Sequence, residues 1–195
     1  DNGVDVEYFQ PQNGQVDPNT LVFTGSMDGR PNQDAVEYFV TDVLPILRSA
    51  RPEMKFVAVG RKPPAHIVEL GKRDGVTITG TVDDVRPYIA KAALYVVPLR
   101  VGGGSRLKIL EAMAMRKPVI STGVGAEGLE VTEGENIILT SGAEKLAESI
   151  LLKLDDPEGC ARLAEAGHKL VHERYRWQTL GDKLHAYIQE LVNGD

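Results

Sequence analysis

Along this chain, apolar and β-branched runs alternate with longer stretches in which apolar residues recur every three or four positions. The short, almost wholly apolar runs predict strands at Leu21–Thr24, Lys55–Gly60, Val76–Gly80, Leu94–Pro98, Pro118–Thr122 and Asn136–Thr140. Helical spacing predicts helices over Asn32–Ser49, Ala65–Lys72, Asp84–Ala92 and Arg106–Met115 between them, and over Ala143–Leu154, Pro157–Tyr175 and Trp177–Val192 after them. Runs such as Phe56-Val57-Ala58-Val59 and Tyr95-Val96-Val97 have no polar face, which suits a parallel sheet covered on both sides. Strand and helix in turn predict an α/β fold, a doubly wound Rossmann-like parallel sheet of about six strands with helices on both faces.

Composition narrows the classes. At 195 residues, with 42% hydrophobic and 26% charged, the chain suits one soluble globular domain. No apolar run approaches the ~18 residues of a membrane-spanning helix. A balance of 22 basic and 28 acidic side chains, net −6, argues against a broad nucleic-acid footprint, so any bound anion must be held locally. The lone Cys160 excludes an internal disulfide and fits a reducing compartment. The first residues show no secretory leader, and a cytoplasmic location is expected. Asn2-Gly3-Val4-Asp5 reads like the middle of a longer protein.

In the commonest doubly wound order, 3-2-1-4-5-6, the ligand crevice lies outside the carboxyl ends of strands 1 and 4. Gly25-Ser26-Met27-Asp28-Gly29-Arg30 follows the first of these, and Leu99 to Lys108, with Gly102-Gly103-Gly104, follows the second. The glycines permit close backbone approach to a ligand, and Ser105 suits the N-cap of the next helix. Arg106 and Lys108 at a helix start oppose the macrodipole unless an anion sits there, and a pyrophosphate would remove that conflict. Standing alone, the segment reads more simply as a flexible glycine loop with two solvated cations. Glu111 shares the inward stripe of Leu107, Leu110 and Ala114. Its carboxylate needs a partner, either a ribose diol or Lys108 three residues earlier.

Gly-Gly-Ser-Arg-Leu-Lys-Ile-Leu-Glu-Ala-Met-Ala at Gly103 to Ala114, followed by Lys117-Pro118-Val119-Ile120-Ser121-Thr122, resembles the donor-site signature of family-four retaining glycosyltransferases. Further matches run in order along nearly the whole chain: Asn2-Gly3-Val4-Asp5 with Phe9 and Pro11, Phe23-Thr24-Gly25-Ser26, Val59-Gly60-Arg61, and Gly80 to Asp84 with Tyr88 and Ala92-Ala93. The resemblance implies the C-terminal, donor-binding half of a GT-B fold. Residues 1–19 would be an interdomain linker, 20–175 the Rossmann-like domain, and 176–195 a C-terminal helix directed toward an N-terminal acceptor-binding domain. It implies a UDP- or GDP-linked sugar as donor, no metal or other cofactor, and same-face attack in which the leaving diphosphate helps accept the acceptor's proton.

By resemblance, Glu111 is the second glutamate of the Glu-x7-Glu motif and holds the ribose. Arg106 and Lys108 stabilise the departing diphosphate electrostatically. Gly25, Ser26, Gly103, Gly104 and Ser105 belong to the loops around the phosphates, and Arg61, Thr81 and Val82 flank the base. Two departures stand out. The motif's first glutamate is replaced by Gly103, and the cation expected after strand 1 is replaced by Met27-Asp28-Gly29-Arg30-Pro31-Asn32, in which Arg30 is the candidate substitute. Bacterial surface-polysaccharide transferases with Pro-Leu-Arg, a glycine cluster and Arg-Leu-Lys look similar, which suggests that cation duty has moved to Arg106 and Lys108. The rivals are a degenerate nucleotide-binding or scaffolding copy and a sugar-nucleotide epimerase of related architecture. A Rossmann dehydrogenase is disfavoured, since no G-x-G-x-x-G opens the helix after strand 1. His168 and His172 share one helix face and read as solvated surface, Tyr175-Arg176-Trp177 as a hydrophobic anchor between helices, Cys160 as a packed residue, and Glu127 to Glu135 as a solvated loop.

Overall fold

Six strands form one parallel sheet in the order β3-β2-β1-β4-β5-β6 in the computed structural model, which describes residues 2–193. They are β1 (Asp17–Thr24), β2 (Lys55–Val59), β3 (Val76–Ile78), β4 (Ala92–Val97), β5 (Val119–Thr122) and β6 (Ile138–Thr140). The order is the one expected, with the winding reversing between β1 and β4, where Leu21 pairs Leu94 and Val22 pairs Tyr95. Leu21, Val22, Phe23 and Leu94 to Val97 are fully buried, as strands sandwiched between helical layers must be. β1 starts at Asp17, inside the stretch expected to be linker, and a register shift between Asp17 and Leu21 marks its early part.

The helices are α1 (Arg30–Tyr38), α2 (Leu44–Ala50), α3 (Ala65–Leu70), α4 (Arg86–Lys91), α5 (Leu107–Ala114), α6 (Gly123–Ala126), α7 (Ala143–Leu154), α8 (Pro157–Arg174) and α9 (Trp177–Asn193). The single helix expected over Asn32–Ser49 is instead α1 and α2 joined by a π-helical segment, Phe39–Val43. Pro45 explains it: proline has no N–H for a helical bond, and its ring crowds the carbonyl four residues earlier, so the preceding turn widens. α6 is too short to show a period. Thr122 caps it, with its hydroxyl accepting from Gly125 N at 3.0 Å.

The N-terminal segment returns to the last helices. Val4 N donates to Tyr175 O at 2.8 Å, and the Trp177 indole lies so close to Gly3 that an added Cβ would be 2.6 Å away. Tyr175 is buried and its hydroxyl accepts from Glu130 N, whereas Trp177 remains half exposed. His168 and His172 are half-buried rather than solvated. Their rings lie 4.2 Å apart, and His168 Nδ1 is 2.9 Å from Ala114 O at the end of α5, where α8 packs on that helix. Leu184, Tyr187, Ile188 and Leu191 form an exposed apolar stripe on α9. No helix among the described residues is long and apolar enough to cross a membrane.

Candidate functional site

Two turns at the carboxyl ends of β1 and β2 are joined backbone to backbone. Gly25 N donates to Val59 O and Met27 N to Arg61 O, each at 2.9 Å. Gly60 makes this possible, because a Cβ there would lie 1.8 Å from Gly25 O. Met27, the first residue of the stretch in which the resemblance expects a cation, is fully buried and anchors the first turn. Arg30 is exposed at the start of α1.

Beside these turns opens a cleft of ≈ 320 Å³, within the range of small-molecule sites. Gly25, Ser26, Arg61, Thr81, Val82 and Glu111 all line it, drawn from three loops and α5. Phe9, Thr24, Val59, Gly60 and Val85 complete its wall. Of these, Phe9 was legible only as part of the linker pattern, and nothing in the sequence singled out Val85. Ser26 Oγ joins the polar rim, donating to Asp28 Oδ1 at 2.7 Å and accepting from Arg61 Nε at 3.1 Å.

Gly103, Gly104 and Ser105 lie in an exposed loop that does not line the cleft in this conformation. Gly102 and Gly104 adopt φ of +116° and +120°, which side-chain-bearing residues rarely reach. The N-cap expected at Ser105 is not formed. Arg106 precedes α5 in the left-handed conformation, φ 52°, and no side chain caps the helix, so Ser105 sits one residue too early for its hydroxyl to reach the first turn. Arg106 is buried, and its Nη2 donates to Gly102 O at 3.0 Å and to Glu127 Oε2 at 3.1 Å, while its Nε has no partner. Glu127 is thus a tether for the glycine loop, while the stretch Glu127 to Glu135 is the largely exposed loop expected. Glu130 likewise pairs with Arg174.

Lys108 points back across the sheet top. Its ammonium donates to Asn32 Oδ1 at 2.6 Å and lies 4.1 Å from the centre of the Phe23 ring. The alternative pairing with Glu111 is therefore not made, and the Glu111 carboxylate faces the cleft without a hydrogen bond from any described residue. Burial pushes the Lys108 ammonium down to about 7; the Glu111 charge opposes this and Arg106 adds to it. Burial likewise raises the Glu111 carboxyl, and Lys108 pulls it back. Beneath them Tyr95, fully buried on β4, shares a 2.5 Å hydrogen bond with Thr24.

A larger and more apolar hollow of ≈ 640 Å³ lies at the ends of β4 to β6, bounded by Tyr38, Leu99, Val124 and Gly142. Its cation, Arg100, is already held by Asp34 at 2.6 Å and stacked 4.5 Å over Tyr38. The smaller cleft has the uncommitted carboxylate and the nearby ammonium, and is the candidate site.

Residues 18–156 match the family model described as "Glycosyl transferases group 1". An alpha-D-kanosaminyltransferase of Streptomyces kanamyceticus is 29% identical over 168 residues, covering 82% of this chain and 43% of that protein. A lipopolysaccharide core biosynthesis mannosyltransferase of Rhizobium leguminosarum bv. viciae is 28% identical over 193 residues, covering 89% and 53%. Anabaena HepE, solved in complex with UDP and glucose, superposes with a TM-score of 0.78 at 16% identity, covering 96% of this chain and 55% of that one. The chain thus has the architecture of one half of a GT-B fold and spans about half the length of the curated relatives it matches.

Proposed function

The chain belongs to the group 1 glycosyl transferases, and from that premise we propose that it is the C-terminal, donor-binding half of a retaining enzyme that transfers a hexosyl group from a nucleoside-diphosphate sugar. The observation that carries this reading is the half-buried Glu111 carboxylate, turned into the cleft and left without a protein donor, one turn from the Lys108 ammonium. A ribose diol supplies the two hydroxyl donors such a carboxylate lacks. A diphosphate supplies the negative charge that Lys108 and the uncapped starts of α1 and α5 lack. The base then lies between Phe9, Val82 and Val85, with Arg61 and Thr81 at the rim.

In this arrangement the bond between the anomeric carbon and the diphosphate oxygen breaks as negative charge grows on the diphosphate. Lys108 stabilises that charge in the place a metal would otherwise occupy, while Arg106, its charge offset by Glu127, holds the glycine loop beside it. The acceptor attacks the same face, and the departing diphosphate takes its proton. Gly103, Gly104 and Ser105 close over the phosphates once they are bound. UDP and GDP are both compatible with the cleft; Anabaena HepE was solved with UDP. The acceptor sits mainly on the other half of the full-length protein, toward which the apolar stripe of α9 faces, and the product is a polysaccharide or glycoconjugate.

A second reading, a binding module without turnover, draws on Gly103, where the family's first motif glutamate is missing. Calorimetry with nucleoside diphosphates and the matching nucleosides tests the site. Glu111→Ala weakens both ligands, whereas Lys108→Ala weakens the diphosphates selectively. Equal losses of both ligands in the lysine variant would remove the diphosphate assignment. Turnover of a sugar donor by the full-length protein separates enzyme from binding module.

A further inference from the structure

The turn after β1 has no cation facing the cleft, yet a cation reaches it from α5. Asn32, in the first turn of α1, uses both ends of its amide: Oδ1 accepts from Lys108 Nζ at 2.6 Å, and Nδ2 donates to Ser26 O at 2.7 Å. The two bonds fix the amide's orientation, because a carbonyl can only accept and an ammonium can only donate. Gly25 completes the seat. A Cβ at Gly25 would lie 2.8 Å from Lys108 Nζ and 2.9 Å from Asn32 Nδ2, so this arrangement requires glycine. The Phe23 ring closes the remaining side at 4.1 Å.

We propose that Asn32 is a positioning residue, whose side chain seats the Lys108 ammonium against Gly25 at the start of α1 and aims it at the diphosphate of the donor. The inference rests on the donor-site reading above and assigns the aiming of its main cation. The chemistry of the seat matters as much as its place. Arg106 and Arg100 are each held by a carboxylate, Glu127 and Asp34, which offsets their charge. Asn32 is neutral, so Lys108 is fixed in position by a group that does not offset its charge, with Glu111 acting on it without a direct bond. α1 carries no acidic residue in its first turn and no side-chain cap, so its positive end adds to the ammonium instead of neutralising it. The ammonium and the positive helix end repel each other modestly, and an anion between them relieves that repulsion.

Opposite substitutions at Asn32 separate aiming from mere support. Both Asn32→Ala and Asn32→Asp lose the bond to Ser26 O, but Asn32→Asp pairs with the ammonium and Asn32→Ala abandons it. In the 195-residue chain labelled with [13Cε]lysine, with Lys108 identified by its loss in Lys108→Met, the titration midpoint of Lys108 rises in Asn32→Asp and falls in Asn32→Ala. The preference for UDP over uridine drops about tenfold in both variants. Gly25→Ala, which fills the seat, loses the same preference. An unchanged Lys108 midpoint in both folded variants would overturn the proposal. Opposite midpoint shifts with an unchanged UDP-to-uridine ratio would uphold the seat and overturn the diphosphate reading instead.

Discussion

Glu111 and Lys108 lie one turn apart on α5, and in the proposed site they divide the ligand between them. Replacing Glu111 by Ala removes an acceptor used by two ribose hydroxyls, so nucleoside and nucleoside diphosphate should both lose about 10- to 100-fold in affinity. Glu111→Gln, which keeps a carbonyl oxygen, should fall between. Lys108 brings pH into the balance. Its ammonium, held near 7 by burial, must be charged to meet a diphosphate. Affinity for nucleoside diphosphates should therefore decline as pH rises from 6 to 8, with proton uptake on binding, while nucleoside affinity stays flat. Calorimetry in buffers of different ionisation enthalpy reads both. Without ligand the sign is opposite: the folded-state value lies below the ordinary 10.5, the unfolded chain holds more protons between about 7 and 10.5, and stability rises with pH across that window. In the proposed site the Lys108 cation serves the diphosphate, so a chelator should leave nucleotide affinity unchanged; loss of binding in EDTA would contradict that assignment.

The elements show which features the sequence carries and which it hides. Strands such as Leu21–Thr24 and Val119–Thr122 were legible because uninterrupted apolar runs have no solvent face to offer, and strand–helix alternation then implied a doubly wound sheet, whose commonest order is the one found. Glu111 was legible as a carboxylate on an inward stripe. The Asn32–Lys108 bond was not, since 76 residues separate its partners and neither residue type is unusual where it stands. The same holds for the Arg106–Glu127 tether, and for Ser105, whose capping role fails because Arg106 turns left-handed just before the helix. The π-helical segment ahead of Pro45 is a local backbone choice that apolar period does not encode. The paired turns after β1 and β2 belong to this scale too. Gly60→Ala would drive a Cβ into Gly25 O, and should destabilise the chain by about 1–3 kcal/mol in denaturant melts while abolishing nucleotide binding.

As a whole molecule, the chain is an α/β domain whose candidate site has one side open. The cleft lies at the carboxyl ends of β1, β2 and β3, with the Lys108 ammonium and the glycine loop after β4 beside it, on the edge of the sheet where a doubly wound fold leaves a crevice. A second half facing this edge would exclude water and bring the acceptor. We therefore expect the isolated chain to bind a nucleoside-diphosphate sugar without transferring it, and a continuous donor assay on the isolated and full-length proteins compares the two. The central claim is that this cleft holds the ribose at Glu111 and the diphosphate at Lys108. A crystal structure of the chain with UDP or GDP tests it most directly. The account predicts ribose hydroxyls within hydrogen-bond distance of the Glu111 carboxylate and phosphate oxygens on the Lys108 ammonium. A nucleotide seated in the hollow at the ends of β4 to β6, or Glu111 turned out to solvent beside a bound ligand, would contradict it.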